Sequence, residues 1–271
     1  MDELKGKPVQ NLWDDIEMVS SQAAERLGYP TQKPEALLER IIKASCPEKG
    51  LVLDPFCGCG TSISAAQNLK RNWIGIDITY LATNLIKYRL KHAFGEHVKY
   101  KVIGEPTSLP DAQELANQDK YQFQWWALGL VGARSVDEKK GSDKGIDGRL
   151  YFHDEIKGKT KQIIFSVKGG ETVSVKELRD LRGVIEREEA EIGVMICIAE
   201  PTKPMKVEAA SSGFYISPWN DKKYPRLQIL TIEELFNGKQ IDYPPTQANV
   251  TFKKAPKSTN KITEQNEFIL E

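Results

Sequence analysis

Two aspartates and two glycines near the start of the chain have the types and spacing of a nucleotide-binding turn. Asp54 follows the apolar residues 51–53, and Gly58 and Gly60 precede a segment with helical spacing. Glycines let a ligand approach the backbone closely, and the N–H groups of the following helix terminus face it. Asp77 follows the next apolar run, where a carboxylate can accept hydrogen bonds from ribose hydroxyls. The pattern implies an adenosine ligand, although a Gly-x-Gly pair alone is equally typical of a tight turn.

Asp147 and Lys168 form a second pair that could do chemistry. Asp147 lies in Gly-Ile-Asp-Gly, and Lys168 ends the run Ser-Val-Lys. A phosphodiesterase site needs carboxylate oxygens for Mg²⁺ and a lysine that orients water or stabilises the transition state. We predict that the two side chains lie at one end of neighbouring strands joined by a hairpin. The spacing alone favours a structural role, because an Asp and a Lys on a surface hairpin are individually common.

Apolar spacing predicts the elements that position the first pair. The order is helix, strand, glycine turn, helix, strand and helix, which implies a parallel sheet with crossover helices. The predicted helices are residues 34–45, a segment ending at about Leu69, and 79–94, and the predicted strands are residues 51–53 and 73–77.

The second pair requires a separate unit. Prolines and small polar residues make residues 105–120 a predicted linker, and residues 246–271 lack periodicity and are a predicted flexible tail. The predicted domains are therefore residues 1–104 and 121–245. In the second domain we predict helices at residues 123–133, 175–189 and 232–236 and strands at residues 149–152, 162–167, 192–198 and 227–230.

Composition excludes several classes of protein. The 271 residues are 40% hydrophobic and 28% charged, which is a globular composition. No window has the length and apolarity of a membrane span and no signal peptide is visible, so we expect a soluble, cytoplasmic protein without a membrane partner. The four cysteines do not suggest a disulfide framework or a zinc site. With 38 basic and 38 acidic residues, DNA binding must rest on motifs and local patches.

The first motif resembles the cofactor half of the DNA amino-methyltransferases that modify adenine N6 or cytosine N4. The resemblance covers about residues 8–100 and rests on Thr-Gln-Lys-Pro followed by Asp-Pro-Phe-Cys-Gly-Cys-Gly-Thr. In the family these elements bind S-adenosylmethionine, and their order here matches the β class. The resemblance implies that Asp77 holds the ribose. It also implies a set of residues around the methionine end, which comprises Thr31, Lys33, Pro34, Asp54, Pro55, Phe56, Cys57, Gly58, Gly60 and Thr61.

The catalytic motif of that family has no counterpart in this sequence. The family uses a polar residue, two prolines and an aromatic residue to hold the exocyclic amine of a flipped base. The Pro-Pro pair here is Tyr243-Pro244-Pro245-Thr246, which lacks both the polar and the aromatic residue, and we interpret it as a proline stop. The β class has this motif earlier in the chain. We therefore predict that this chain alone does not methylate DNA and needs the other half from another polypeptide or from a longer gene product.

The second motif resembles the Mrr-type branch of the PD-(D/E)XK nucleases over about residues 118–200. The resemblance makes Asp147, Ser166 and Lys168 the candidate catalytic residues, with Mg²⁺ held by Asp147 and the backbone carbonyl of Val167. Asp143 or Gln124 could add a ligand. Ser166 stands where most members have Glu or Gln, and it is a weaker metal ligand.

Two lesser signals have ordinary structural explanations. Trp125 and Trp126 lie at helical spacing and are predicted to be core residues rather than a base-stacking platform. Arg179 and Arg182 alternate with acidic residues, which favours a solvated helix face over phosphate contacts.

Together the motifs predict an α/β protein with a partial Rossmann-like methyltransferase sheet followed by a small α/β restriction-endonuclease-like domain. We interpret the chain as the S-adenosylmethionine-binding portion of a site-specific DNA methyltransferase, fused to a nuclease-like domain in a restriction-modification context. The alternatives are a Mg²⁺-dependent endonuclease with a remnant or regulatory methyltransferase segment, and a non-enzymatic protein in which both domains dock DNA for a partner.

Overall fold

The computed structural model describes residues 11–136, 145–154 and 159–245 of the chain. The backbone divides into two compact units. Of the described residues, the first unit comprises 11–77 and 85–99, and the second comprises 78–84, 100–136, 145–154 and 159–245. The predicted tail, residues 246–271, lies outside the described residues.

The first unit contains a short parallel sheet with helices between and around its strands. The strands pair in parallel, with Leu51 opposite Asn72 and Asp54 opposite Gly75. All the elements predicted from apolar spacing are present, with bounds that differ by a few residues. The elements are α1 (Glu35–Ser45), β1 (Leu51–Asp54), α2 (Thr61–Asn68), β2 (Asn72–Gly75) and α3 (Tyr80–Phe94), the last of which begins in the second unit.

The core of the first unit lies on one face of its sheet. Val52 of β1 and Trp73 of β2 are register partners and pack beside Ala65 and Ala66 of α2. Alanines have no side-chain bulk beyond Cβ, so α1 and the sheet can approach α2 closely, and Ile42 of α1 is buried there. The opposite face of β1 and β2 carries exposed leucine and isoleucine side chains.

The second unit is built around a five-stranded mixed sheet in the order β3-β4-β5-β6-β9. The pairs β3–β4 and β4–β5 are antiparallel, whereas β5–β6 and β6–β9 are parallel. A short antiparallel pair, β7–β8, is separate. The elements are α4 (Leu109–Gln118), α5 (Lys120–Leu130), β3 (Arg134–Ser135), β4 (Gly148–Phe152), β5 (Lys161–Lys168), α6 (Val175–Arg187), β6 (Ile192–Cys197), α7 (Lys203–Ser211), β7 (Phe214–Ile216), β8 (Lys223–Pro225), β9 (Leu227–Thr231) and α8 (Ile232–Phe236).

Both faces of this sheet are covered, as a parallel sheet requires. Trp126 of α5 packs in the cluster that contains Phe165 of β5, and Leu178 of α6 packs in the cluster that contains Ile164 on the other face. Trp126 is almost fully buried, which confirms the prediction that it is a core residue. The structure also confirms the predicted fold class, a mixed α/β arrangement. Among the described residues, no helix combines the length and apolarity needed to cross a bilayer.

The segment predicted as a linker contains helix α4. Pro106 and Pro110 suggested a break, yet a proline in the first helical turn is compatible with a helix because its missing N–H has no intrahelical partner there. Ser108 caps the helix: its hydroxyl accepts from the Asp111 N–H at 3.3 Å, and the Asp111 carboxylate accepts from the Ser108 N–H at 3.1 Å. Buried Ala112 anchors α4 in the core of the second unit. The proposed domain boundaries otherwise stay a prediction.

Candidate functional site

The glycine turn between β1 and α2 has a backbone shape that requires glycine at two positions. Gly58 and Gly60 have φ angles of 51° and 71°, in the left-handed region. A Cβ atom at Gly58 would lie 3.0 Å from the Tyr29 ring, and one at Gly60 would lie 2.8 Å from the Ile86 side chain. The neighbouring side chains therefore leave little room for a Cβ atom at either glycine.

Two carboxylates at the ends of adjacent strands hold this turn in place. Asp54 accepts the Phe56 N–H at 3.1 Å and the Ser62 hydroxyl at 2.5 Å. Asp77 accepts the Gly58 N–H at 2.9 Å. Both acids are half-buried beside the loop, whereas the Phe56 side chain is 87% exposed. The contribution of Ser62 was not predicted. It is the second residue of α2, and its hydroxyl donates to the last residue of the preceding strand.

Cys57 is a packing residue of the turn and carries no charge at neutral pH. Its N–H and its thiol both donate to the carbonyl of Ile76, at 3.0 and 3.2 Å. Burial raises the pKa of the Cys57 thiol to about 12, with smaller contributions from the negative charges of Asp77 and Asp54. A protonated, buried thiol is a poor nucleophile, so the turn uses this cysteine for its small size.

In the segment before α1, some side chains are exposed and others hold the backbone of the segment by hydrogen bonds. The side chains of Thr31 and Lys33 are exposed, and Pro34 is the residue that caps the N-terminus of α1. The Gln32 side chain anchors the segment, because it accepts the Leu27 N–H at 2.8 Å and donates to the Glu25 carbonyl at 2.6 Å.

Tyr29 joins this segment to the glycine turn. Its ring lies against Gly58, and burial together with the charge of Asp77 raises the pKa of its hydroxyl. Neither Tyr29 nor Gln32 was among the predicted site residues. Both lie in the Gly-Tyr-Pro-Thr-Gln-Lys-Pro run, so their position beside predicted residues was the available signal.

An ion pair between Arg89 and Glu35 contacts the first residue of α2, directly after the glycine turn. Arg89 of α3 is 2% exposed, and its guanidinium donates to Glu35 of α1 at 2.8 Å and to the hydroxyl of Thr61 at 3.1 Å. Glu35 also accepts the hydroxyl of Ser64 at 2.9 Å and the amide of Asn68 at 2.6 Å. The side chain of Thr61 is thus directed into the protein, which leaves its backbone as the part that could face a ligand.

The predicted nuclease-like residues lie at the start of β4 and the end of β5. The Asp147 N–H donates to the Phe165 carbonyl at 2.9 Å, and the Asp147 carboxylate accepts the Val167 N–H at 2.6 Å. Gln124 donates to the backbone carbonyl of Asp147 at 3.2 Å. The antiparallel register of β4 and β5 therefore brings Asp147 beside Val167, and Gln124 holds the backbone of this corner.

Ser166 and Lys168 share one face of β5. Ser166 is 5% exposed and lies on the same side as Ile164, which packs in the cluster of α6. Lys168 is half-buried at the strand end. Within the described ranges, no three His, Cys, Asp or Glu side chains come together as a metal site would require. Asp143, the other predicted ligand, lies outside the described residues.

The two arginines of α6 make ion pairs with α7. Arg179 and Arg182 both donate to Glu208, at 2.9 and 3.3 Å, and these pairs lower the pKa of the Glu208 carboxyl. The structure therefore supports the prediction of a solvated, ion-paired helix face.

Two separate regions of the chain match families of known proteins. Residues 2–87 match a family described as DNA methylase, and residues 120–237 match a family described as NACHT-associated inactive Restriction Endonuclease 1.

Several curated proteins are similar to part of this chain. The Type II methyltransferase M.HpaI of Haemophilus parainfluenzae is 42% identical over 91 residues, which are 34% of this chain and 29% of that protein. M.EcaI of Enterobacter cloacae is 34% identical over 101 residues, 36% of this chain and 22% of that protein. M2.DpnII of Streptococcus pneumoniae is 42% identical over 88 residues, 32% of each chain. This chain thus spans less than a third of the length of each. It combines a region similar to DNA methyltransferases with a region similar to a restriction-endonuclease family.

Proposed function

We propose that the first unit binds S-adenosylmethionine as the cofactor-binding portion of a DNA methyltransferase that acts on adenine N6 or cytosine N4. The observation that carries this proposal is the set of two strand-end carboxylates, Asp54 and Asp77, both hydrogen-bonded around one glycine turn. That turn lies within residues 2–87, which match a family described as DNA methylase. DNA is the proposed substrate of the complete enzyme.

The side chains around the turn fit such a cofactor. Gly58 and Gly60 present bare backbone at the start of α2, where N–H groups of the first helical turn have no intrahelical acceptor. Asp77 would accept hydrogen bonds from the ribose hydroxyls, as a carboxylate at this position does in other α/β nucleotide-binding folds. When bound, S-adenosylmethionine supplies the methyl group that is transferred.

The remaining predicted residues would surround the methionine end of the cofactor. The segment from Asp54 to Gly60 would lie beneath it, and the exposed side chains of Thr31 and Lys33 are accessible to flank it. Thr61 would contribute its backbone, because its hydroxyl is bonded to Arg89.

Methyl transfer also requires groups that hold the acceptor amine, and the Pro-Pro segment of this chain is a poor source of them. Tyr243 packs edge to face on Phe152, with ring centroids 5.8 Å apart. Burial raises the pKa of the Tyr243 hydroxyl. A tyrosine committed to the core in this way cannot stack on a flipped base, which agrees with its interpretation as part of a proline stop.

We therefore expect the purified chain to bind S-adenosylmethionine without methylating DNA. Calorimetry would measure binding, and transfer of a radiolabelled methyl group to genomic DNA would measure activity. S-adenosylhomocysteine serves as a competitor that should displace the cofactor. Methyl transfer by the chain alone would contradict the proposed incompleteness, and absence of cofactor binding would contradict the proposed function.

For the second unit we propose a role without DNA cleavage. Asp147 accepts the Val167 N–H, and the position expected to supply a Glu or Gln ligand holds buried Ser166. A Mg²⁺ ion in such a site needs several oxygen ligands, usually with carboxylates among them. The described residues do not offer that set, so they do not fit the ion. The family that this unit matches is itself described as inactive.

We accordingly expect supercoiled plasmid to stay intact when it is incubated with the chain and Mg²⁺ or Mn²⁺. Gel electrophoresis over a range of protein concentrations would detect nicking or linearisation. The Lys168→Ala variant is the matched control for contaminating nuclease. Cleavage by the parent chain that Lys168→Ala abolishes would contradict the proposal and favour the endonuclease alternative.

A further inference from the structure

The sheet of the first unit is incomplete at β1. Within the part of the chain that the structure describes, β1 pairs with β2 and with no other strand. Parallel sheets occur almost only where both faces are covered, because their strands are apolar on both sides. A two-stranded parallel sheet with one bare face is therefore an unusual end state for a folded protein.

Among the described residues, no strand pairs with the outer edge of β1. The carbonyls of Gly50 and Asp54 accept the N–H groups of Asn72 and Ile76, at 2.8 and 2.9 Å. Since successive residues of a strand direct their N–H and C=O groups to opposite edges, those of Leu51 and Leu53 face away from β2. An edge of this kind is a template for another strand.

The side chains on the bare face are apolar and exposed. Leu51 and Leu53 of β1 are 47% and 59% exposed, and Ile76 just after β2 is 51% exposed. A groove of about 530 Å³ runs beside this edge, between β1 and apolar residues of α1 that include Leu38 and Ile41. An open edge, an apolar face and an adjacent groove together have the features of a β-augmentation site.

We propose that this edge of β1 pairs with a strand of a second polypeptide that carries the rest of a methyltransferase domain. The inference rests on the proposed function. The matched relatives each have more than two thirds of their length outside the match, which is enough chain to supply a further strand and helices. The partner segment would be an extended run rich in Val, Ile and Leu, followed by a helix whose apolar face covers Leu51 and Leu53.

Co-expression tests the proposal directly. The chain would be produced together with the part of the Haemophilus parainfluenzae M.HpaI that lies outside the match, and the complex would be isolated and weighed by sedimentation. In hydrogen exchange, the amides of Leu51 and Leu53 should exchange at least about tenfold more slowly in the complex than in the chain alone. The Val52 amide is the internal control, because it faces β2 and its protection should change little.

Two matched variants distinguish pairing at the edge of β1 from non-specific hydrophobic association. Leu51→Lys places a charge on the bare face and should weaken the complex by about tenfold or more. Phe214→Lys in the second unit removes a side chain of similar exposure, 57%, and should leave the complex unchanged. Both variants should bind S-adenosylmethionine as the parent does, which shows that they are folded.

Each other outcome overturns a separate statement. A parent chain that binds S-adenosylmethionine but forms no complex overturns the edge proposal and leaves the proposed function standing. Equal affinity of Leu51→Lys and the parent also overturns it. Slow exchange of Leu51 and Leu53 in the chain alone would mean that another segment of this chain or a second copy covers the edge, and sedimentation would distinguish these two. Loss of cofactor binding in the parent would remove the proposed function itself.

Discussion

Replacing Asp77 with alanine is expected to weaken S-adenosylmethionine binding by about 1.5–3 kcal/mol, or about 10- to 150-fold in the dissociation constant. Two losses contribute. The ribose hydroxyls would lose a charged acceptor, and the Gly58 N–H would lose the carboxylate that holds it at 2.9 Å. Titration calorimetry of the parent and the variant measures the difference.

Two control variants separate these contributions. Asp77→Asn keeps an acceptor oxygen for the Gly58 N–H but removes the charge, so its affinity should lie between those of the parent and Asp77→Ala. Glu48→Ala removes an exposed acid of the same unit and should bind as the parent does. Unchanged affinity in Asp77→Ala would show that the ribose is held elsewhere.

Replacing Arg89 with methionine is expected to destabilise the first unit by about 3–5 kcal/mol, because it leaves a buried carboxylate without its cation. The Arg89 side chain is 2% exposed and that of its partner Glu35 is 17% exposed. The variant also removes the donor to Thr61, at the start of α2. Since two units can unfold separately, amide exchange of α2 measures the relevant free energy more specifically than a single denaturation midpoint.

The ion pair itself is tested by adding a second substitution. Glu35→Gln in the Arg89→Met background removes the uncompensated charge and should recover part of the loss. Arg182→Met is the surface control, since Arg182 is 44% exposed and its pairs should contribute at most about 1 kcal/mol. A loss in Arg89→Met no larger than in Arg182→Met would mean that the buried pair does not support the turn.

The shape of the glycine turn could be predicted because its signals are local in the sequence. Asp54, Gly58 and Gly60 lie within one strand-to-helix connection, and the backbone angles of the glycines are a property of that connection. Arg89 and Glu35 could not be predicted as a pair, because they lie 54 positions apart on different helices. Charged residues on an amphipathic helix are usually solvated, and only the packing of α1, α2 and α3 shows that this one is buried.

In the second unit, too, some elements could be predicted from the sequence and others could not. Strands β4 and β5 were predicted from their apolar runs, and the hairpin register that brings Asp147 beside Val167 follows from their antiparallel pairing. The position of β9 next to β6 depends on contacts between distant segments and left no pattern in the sequence. Helix α7 was not predicted, since its apolar residues are few and Pro204 lies in its first turn.

The buried thiol of Cys57 has a consequence for how the cofactor loop would respond to oxidants. Peroxides and disulfides react with the thiolate, and a pKa of about 12 keeps that species at a negligible population at neutral pH. Cys59 is also buried and free of a disulfide. We therefore expect the glycine turn to keep its shape equally in reducing and oxidising surroundings.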